Sequence, residues 1–240
     1  MRRLIALTLL ALTLIAGCLR ASIWQYDRYQ HRHAQNALIQ SNIDRPEISE
    51  SDLSLFATKP REIAWRTIRI SGHFLPASEF LVRNRYNDGV YGFGVVTLFQ
   101  SDGKKSYWVD RGWVQAGKDA KTAPITQRVT DQPITITGRV RLDSIEHSVG
   151  GTFFALPSSF GKSEIAQWNN EQKIKTEPVY FDLISASSSE ITPTHPTLLP
   201  ELSDGPHLAY SFQWLLFAGF VIFGWFIVLR EDRRSQRAKA

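Results

Sequence analysis

Three residues near the start of a long apolar run have the types and spacing to form a ligand site. His207, Tyr210 and Trp214 stand at positions i, i+3 and i+7, so in a helix they fall along one face. His207 would lie in the first turn, where the positive end of the helix dipole disfavours an imidazolium. A neutral imidazole is the form that ligates metals. The alternative is an interfacial histidine with two aromatic residues of a membrane belt.

The element that must position these residues is the apolar run Leu208–Leu229, which contains no charged residue. As a helix it rises roughly 33 Å, enough to cross a bilayer core of about 30 Å. Inside lipid only a helix satisfies its own backbone groups. Pro206 suits the first helical position, and Ser203 or Asp204 could cap the first turn. We therefore predict a transmembrane helix over residues 207–230, followed by a basic tail.

A second apolar run, Leu4–Leu19, lies near the N-terminus and extends to Ile23 if Arg20 reaches the headgroups. It can be an uncleaved transmembrane helix over residues 1–23. It can also be an export signal, because two arginines precede it and the residues around Cys18 resemble a lipoprotein cleavage box. Aromatic residues follow the run, as in an interfacial belt, which favours the uncleaved helix: Trp24, Tyr26 and Tyr29.

The net charge of +5 is located at the two ends of the 240-residue chain. Arg2 and Arg3 give +2, and the residues after Leu229 give +3, so the segment between them is neutral in sum. A nucleic-acid-binding protein would need a basic stripe on its folded part, and this pattern argues against one. Basic flanks beside both apolar runs predict cytoplasmic termini, an extracytoplasmic domain over 24–206 and a cytoplasmic tail over 231–240.

The middle of the chain has the alternating pattern of β-strands between turn signals. Gln30–Gln40 is predicted to form a short helix, Ser41–Pro60 a loop, Phe160–Lys173 an amphipathic helix and Ser185–Pro200 a linker. The fold class that follows is an α+β membrane protein, in which two transmembrane helices bracket a β-rich, barrel- or sandwich-like domain. Strands are predicted over Trp65–Ile70, Phe80–Val82, Tyr91–Phe99, Ser106–Val114, Ile134–Val140 and Pro178–Ile184.

The sequence shows no constellation typical of an enzyme. No carboxylate pair, Ser-His-Asp set, phosphate loop or zinc signature has credible spacing. The single cysteine excludes a disulfide framework within one chain. His31 and His33 point about 200° apart on a helix, so one copper ion could not take both. A membrane-anchored enzyme or copper carrier is therefore the least favoured reading.

Several blocks of the chain, in this order, resemble the SURF1-type assembly factors of haem-copper cytochrome c oxidase. They cover nearly the whole chain, including both apolar runs, and the Asp-Arg-Gly-Trp block matches the family's pattern closely. The blocks are Trp24-Gln25 with Arg28, Ile70–Phe74, Tyr91–Thr97, Val109–Val114, Pro178–Tyr180 and Gly205–Trp214.

The resemblance implies a non-enzymatic role in maturation of oxidase subunit I in the bacterial plasma membrane, beside other assembly factors and with haem a synthase as a further candidate partner. It also implies haem a binding, with His207 as iron ligand and Tyr210, Trp214 and Arg28 as pocket residues. Arg28 suits a haem propionate, although an interfacial anchor is the favoured reading of this residue. Arg111 is expected to bind a buried carboxylate or carbonyl. The alternative function is a scaffold that stabilises an oxidase assembly intermediate without binding haem.

Overall fold

The computed structural model describes residues 2–118, 122, 124–142, 169–170 and 173–237. The chain divides into two compact units. One unit combines Met1–Ala37 with Glu201–Ala240, and the other is Leu38–Pro200. The first unit is helical and the second contains the sheet, so the two are described separately.

The helical unit is built from α1 (Arg2–Ile43) and α3 (His207–Arg237), both long and apolar enough to cross a membrane. α1 does not end at Ile23, the predicted end of the span, but continues to Ile43 and includes the predicted helix Gln30–Gln40. The reason is that no glycine or proline stands between Arg20 and Ile43. α3 likewise continues through most of the predicted tail to Arg237.

The two helices pack along a seam whose positions are spaced alternately by three and four residues. This 3.5-residue period is typical of left-handed coiled packing between helices. On α1 the covered positions include Leu4, Thr8, Ala11, Ile15, Cys18, Ser22, Gln25 and Tyr29. On α3 they include His207, Ser211, Trp214, Ala218, Val221, Trp225 and Val228.

Polar contacts fix the antiparallel register of this helix pair. Trp225 Nε1 donates to Thr8 Oγ1 at 3.1 Å near the chain ends. The buried hydroxyls of Ser22 and Ser211 lie 3.0 Å apart, and each also donates to the other residue's carbonyl oxygen. Small residues at such a contact let two helix backbones approach closely. Gln25 is therefore brought opposite the first turn of α3.

The second unit is a closed five-stranded barrel, which confirms the predicted fold class. Its strands are β1 (Thr67–Asn87), β2 (Val90–Ser101), β3 (Ser106–Gln115), β4 (Ile134–Leu142) and β5 (Val179–Ala186). The order around the barrel is β1-β2-β3-β5-β4, and only the pairing of β3 with β5 is parallel among these strands. Aromatic side chains from several strands fill the core: Phe74, Phe99, Tyr107 and Phe181.

Two predicted strands, Trp65–Ile70 and Phe80–Val82, are parts of one long strand, β1. Its pairing with β2 shifts register between Leu75 and Phe80 and again between Val82 and Arg85. Such irregularities bend a strand and increase its twist, which helps a sheet to close. The chain turns between β1 and β2 at residues 87–89, with positive φ at Asp88 and Gly89.

The segment predicted as a loop, Ser41–Pro60, contains a short 3-10 helix at Glu50–Ala57, and α2 (Pro60–Ile63) follows at its end. Sequence periodicity missed the 3-10 helix because it is only eight residues long. Its signal was the capping box of Ser49 and Asp52. The predicted helix Phe160–Lys173 lies mostly outside the described residues.

Candidate functional site

His207 is the first residue of α3 and is half-buried. The carbonyl of Pro206 accepts from the Tyr210 N–H at 3.0 Å, so Pro206 stands one position before the helix and not at its first position. Nδ1 of His207 lies 2.9 Å from Oε1 of Gln25 on α1. An amide oxygen only accepts, so Nδ1 carries the proton in this contact. When the ring is neutral, this tautomer leaves the lone pair on Nε2.

This contact prepares the imidazole for coordination. Metal-ligating histidines characteristically donate their other ring N–H to an oxygen acceptor, which fixes the tautomer and the ring orientation. Gln25 supplies such an acceptor to His207. In its neutral form the ring would thus present Nε2, and not Nδ1, to a metal.

The other predicted pocket residues lie on the same two helices. Tyr210 follows His207 by one turn and is exposed, with 46% of its surface accessible. Trp214, one turn further, is half-buried and meets Phe217 edge-on, with ring centroids 5.7 Å apart. Arg28 is exposed on α1, three residues after Gln25. This end of the pair therefore has aromatic surface on α3 and a cation on α1.

Sequence reasoning missed a second arginine beside His207. A methyl group placed on Gly205 would lie 2.9 Å from Nη1 of Arg32 and 3.8 Å from Nε2 of His207. The guanidinium of Arg32 and Nε2 of His207 therefore both lie near Gly205. The signal available was the seven-residue interval from Gln25 to Arg32, which places both on one side of α1.

Asp204 binds α1 and was not among the residues expected to do so. One carboxylate oxygen lies 2.9 Å from His33 Nδ1, and the other accepts from Asn36 Nδ2 at 2.8 Å. The hydrogen bond from His33 is the largest cause that lowers the pKa of Asp204, and Asn36 and the charge of Arg32 act in the same direction. Asp204 was predicted as a possible helix cap; it instead ties the segment before α3 to α1. Ser203, the other candidate, accepts from the Gly205 N–H at 3.1 Å.

In the Asp110–Trp113 block of β3, Arg111 binds a carboxylate and a carbonyl, as predicted. Arg111 is buried and donates to Glu79 Oε2 at 2.6 Å and to the carbonyl of Gln127. Burial is the largest cause that lowers the pKa of Arg111, and Glu79 opposes it. Gly112 has a φ of +93°, and a methyl group there would collide with the carbonyl oxygen of His195. Only glycine fits this position.

A cavity of about 150 Å³ in the barrel unit is lined by Arg85, Asp110, Thr197 and their neighbours. Pockets for drug-sized ligands span roughly 300–1,000 Å³, so this space suits a few water molecules and no porphyrin. In the described part of the chain, no three His, Cys, Asp or Glu residues are grouped so that they could hold a metal ion. An iron ligated by a single histidine does not require such a group.

Fold and site together define the class of protein. The chain combines a closed five-stranded barrel with two candidate membrane helices, and the second helix begins with a histidine that is oriented by a hydrogen bond to the first. The sequence profile of the SURF1 family matches residues 12–219, so the chain belongs to the SURF1 family. This confirms the resemblance read from the sequence. Members of this family are cytochrome oxidase assembly factors, and the two apolar helices support anchoring of this chain in a membrane.

Relatives of the chain carry the same family name. Uncharacterised SURF1-like proteins of Mycobacterium bovis and of two Mycobacterium tuberculosis strains are each 28% identical to it over 225 residues. The alignment covers 90% of this chain and 80% of each relative. The similarity therefore includes both the barrel and the helices.

Proposed function

We propose that this protein assists assembly of a haem-copper cytochrome c oxidase by binding haem a through His207 and assisting its insertion into subunit I. The observation that carries the proposal is the 2.9 Å contact of His207 Nδ1 with Gln25, because it orients the imidazole and keeps Nε2 as the nitrogen available to a ligand. Haem iron commonly takes a histidine axial ligand, and an apolar aromatic surface suits a porphyrin.

Each residue of the site has a separate task in this proposal. His207 ligates the iron, and Gln25 positions the imidazole. Tyr210 and Trp214 would offer aromatic surface to the ring, while Arg28 and Arg32 are the cations that would pair with the propionate carboxylates. His207 would supply one protein ligand to the iron. That limits how tightly the haem is held, which suits a protein that must pass it on.

The proposed location of the protein follows from its charge distribution, and the proposed partners follow from its family. The protein would lie in the bacterial plasma membrane with both termini in the cytoplasm and the barrel outside. The charge of the chain supports this orientation, because arginines lie at the N-terminal end of α1 and at the C-terminal end of α3, the two ends that would face the cytoplasm. Its partners would be oxidase subunit I, other assembly factors and the enzyme that makes haem a.

The direct test is a titration of the purified full-length protein with haem a, followed by optical and resonance Raman spectra. We expect the wild type to give a histidine-ligated haem spectrum, and we expect His207→Ala to weaken binding at least tenfold. His31→Ala is the matched control, since His31 also lies on α1 near this end of the helix pair but is exposed. An unchanged spectrum for His207→Ala would remove this residue from the proposed function.

A second candidate is a scaffold that stabilises an assembly intermediate without touching haem. The observation that favours it is the closed barrel with its own aromatic core, which can present a surface without the helices. Oxidase activity in cells separates the two. The scaffold predicts normal oxidase in His207→Ala and loss of oxidase when the barrel core is disrupted by Phe99→Ala. Haem delivery predicts loss in both.

A further inference from the structure

The end of the helix pair that is far from His207 collects arginines from both ends of the chain. The bond between Trp225 and Thr8 places the start of α1 beside the last turns of α3. The described acidic residues of this end are Glu231 and Asp232, and Asp232 accepts a hydrogen bond from Gln236 at 2.6 Å. Six arginines lie at the same end as these two carboxylates: Arg2, Arg3, Arg230, Arg233, Arg234 and Arg237.

The four arginines of α3 lie on one side of the helix. Their spacing of three, four and seven residues from Arg230 puts them within one face, and Glu231, three residues before Arg234, lies at its edge. α3 remains helical through Arg237, so this face is an ordered continuation of the apolar part. The arginines line a groove of about 690 Å³ together with Trp225, Phe226 and Leu229.

The groove is amphipathic along the helix axis. The end of the groove nearer the middle of α3 is apolar. There, Trp225 is oriented by its hydrogen bond to Thr8 and meets Phe226 edge-on, with ring centroids 6.0 Å apart. The end of the groove nearer the C-terminus of α3 is cationic and exposed. The change from one to the other falls where the apolar run ends, the depth at which aromatic residues and headgroups meet in a membrane protein.

We propose that this groove binds the headgroup of an anionic phospholipid. Arginine forks bind phosphate oxygens bidentately, and the apolar end would contact the first carbons of the acyl chains. The combination distinguishes a lipid from a nucleic acid or an acidic peptide, because those ligands would leave the apolar end of the groove without a partner. The site is separate from His207 and does not depend on haem binding.

The test is native mass spectrometry of the full-length protein in detergent, with titrations of phosphatidylglycerol and of phosphatidylcholine. We expect clear preference for phosphatidylglycerol. A basic residue near a charged lipid surface contributes about fivefold to affinity, so Arg233→Gln with Arg237→Gln should lower it roughly 20- to 30-fold. The same pair changed to lysine should retain most of the preference, because charge is kept and only the fork is lost.

The matched control removes the same charge elsewhere. Arg45→Gln with Arg128→Gln takes two exposed arginines from the barrel unit and should leave phosphatidylglycerol binding unchanged. Equal binding of both lipids would overturn the site, as would equal losses in the two double variants. Inorganic phosphate is added in a further arm. Full displacement of the lipid by millimolar phosphate would show that a free anion suffices and would overturn the lipid assignment.

Discussion

The imidazole of His207 is oriented by one hydrogen bond, and the chemistry of its partner decides which nitrogen can ligate. Gln25→Leu removes the acceptor and leaves volume similar to that of the amide. We expect haem a affinity to fall about tenfold, within the range seen when outer-shell partners of a ligating histidine are lost. Gln25→Glu keeps an oxygen acceptor and should stay close to the wild type. The measurement is a haem a titration followed at the Soret band, and equal affinities in Gln25→Leu and Gln25→Glu would contradict this role.

The two arginines beside the site should differ in their effect on propionate binding. Arg32 Nη1 lies beside Gly205, two residues before His207, whereas Arg28 is exposed on α1. We expect Arg32→Gln to lower the affinity for haem a by roughly three- to tenfold, because a charge-assisted hydrogen bond at a partly exposed site is lost. Arg28→Gln should have a smaller effect.

The control ligand for this pair of variants is the haem dimethyl ester, which has no propionate charge. Arg32→Gln and the wild type should bind the ester equally. A loss that is equally large for haem a and for its ester would mean that Arg32 acts through the fold of the segment before α3, and the propionate role would then be wrong.

Between helices, the site depends on the close contact at Ser22 and Ser211. Ser211 is buried, and a leucine there would force the helices apart, with a cost of about 1–3 kcal/mol. We expect Ser211→Leu to lower the thermal midpoint in detergent and to weaken haem a binding, because Gln25 would no longer reach His207. Phe212→Leu, next along α3 but with 61% of its surface exposed, is the control. Normal haem affinity in a destabilised Ser211→Leu would contradict the coupling.

The helix pair shows which parts of this site the sequence predicts and which it does not. The face of His207, Tyr210 and Trp214 follows from helical periodicity within one element, so sequence alone defines it. The partner of His207 does not follow, because Gln25 lies 182 residues away and its placement depends on the register of two helices. That register is set by the Ser22–Ser211 and Thr8–Trp225 contacts, which no local pattern specifies. Sequence reasoning noticed Gln25 only as a neighbour of Arg28.

The barrel shows the same division between local and non-local information. Alternation and turn residues predicted the positions of β2, β3, β4 and β5 to within a few residues. The union of two predicted strands into β1 was missed, because irregular pairing interrupts the alternation between residues 75 and 85. The parallel pairing of β3 with β5 joins segments separated by a long stretch of chain, so no short-range signal could indicate it.

At the scale of the whole barrel, Asp110 makes stability depend on pH. It is 1% exposed, and burial raises its pKa from the ordinary 3.8 to about 6. The folded state therefore binds the proton more tightly than the unfolded chain, so this group's contribution to stability falls as pH rises from about 4 to 6. Asp110→Asn removes the titration, and its Oδ1 can still accept from the Gly112 N–H at 2.9 Å. We expect the variant to gain about 2–3 kcal/mol over the wild type between pH 4 and pH 7.

The control for this prediction has the opposite sign. Hydrogen bonds from the backbone and side chain of Ser49 lower the pKa of Asp52, so its ionised form stabilises the fold above about pH 4 and the effect is lost as pH falls through the lowered pKa. Asp52→Asn should therefore lose stability relative to the wild type as pH rises. Thermal midpoints of the three proteins from pH 3.5 to 7.5 are the measurement. Parallel curves for Asp110→Asn and the wild type would show that Asp110 does not titrate in this range.

The position of β5 between β3 and β4 has a consequence for biosynthesis. The last of the described strands to be made is the one that closes the sheet, and only about 20 residues separate its end at Ala186 from the start of α3. Until β5 is in place, two neighbouring strands each present an unpaired backbone edge to other chains. A polypeptide truncated before Val179 would thus be aggregation-prone and would also lack α3. During translation, β5 and α3 are synthesised in close succession, so the barrel can close at about the time when the second apolar helix is made.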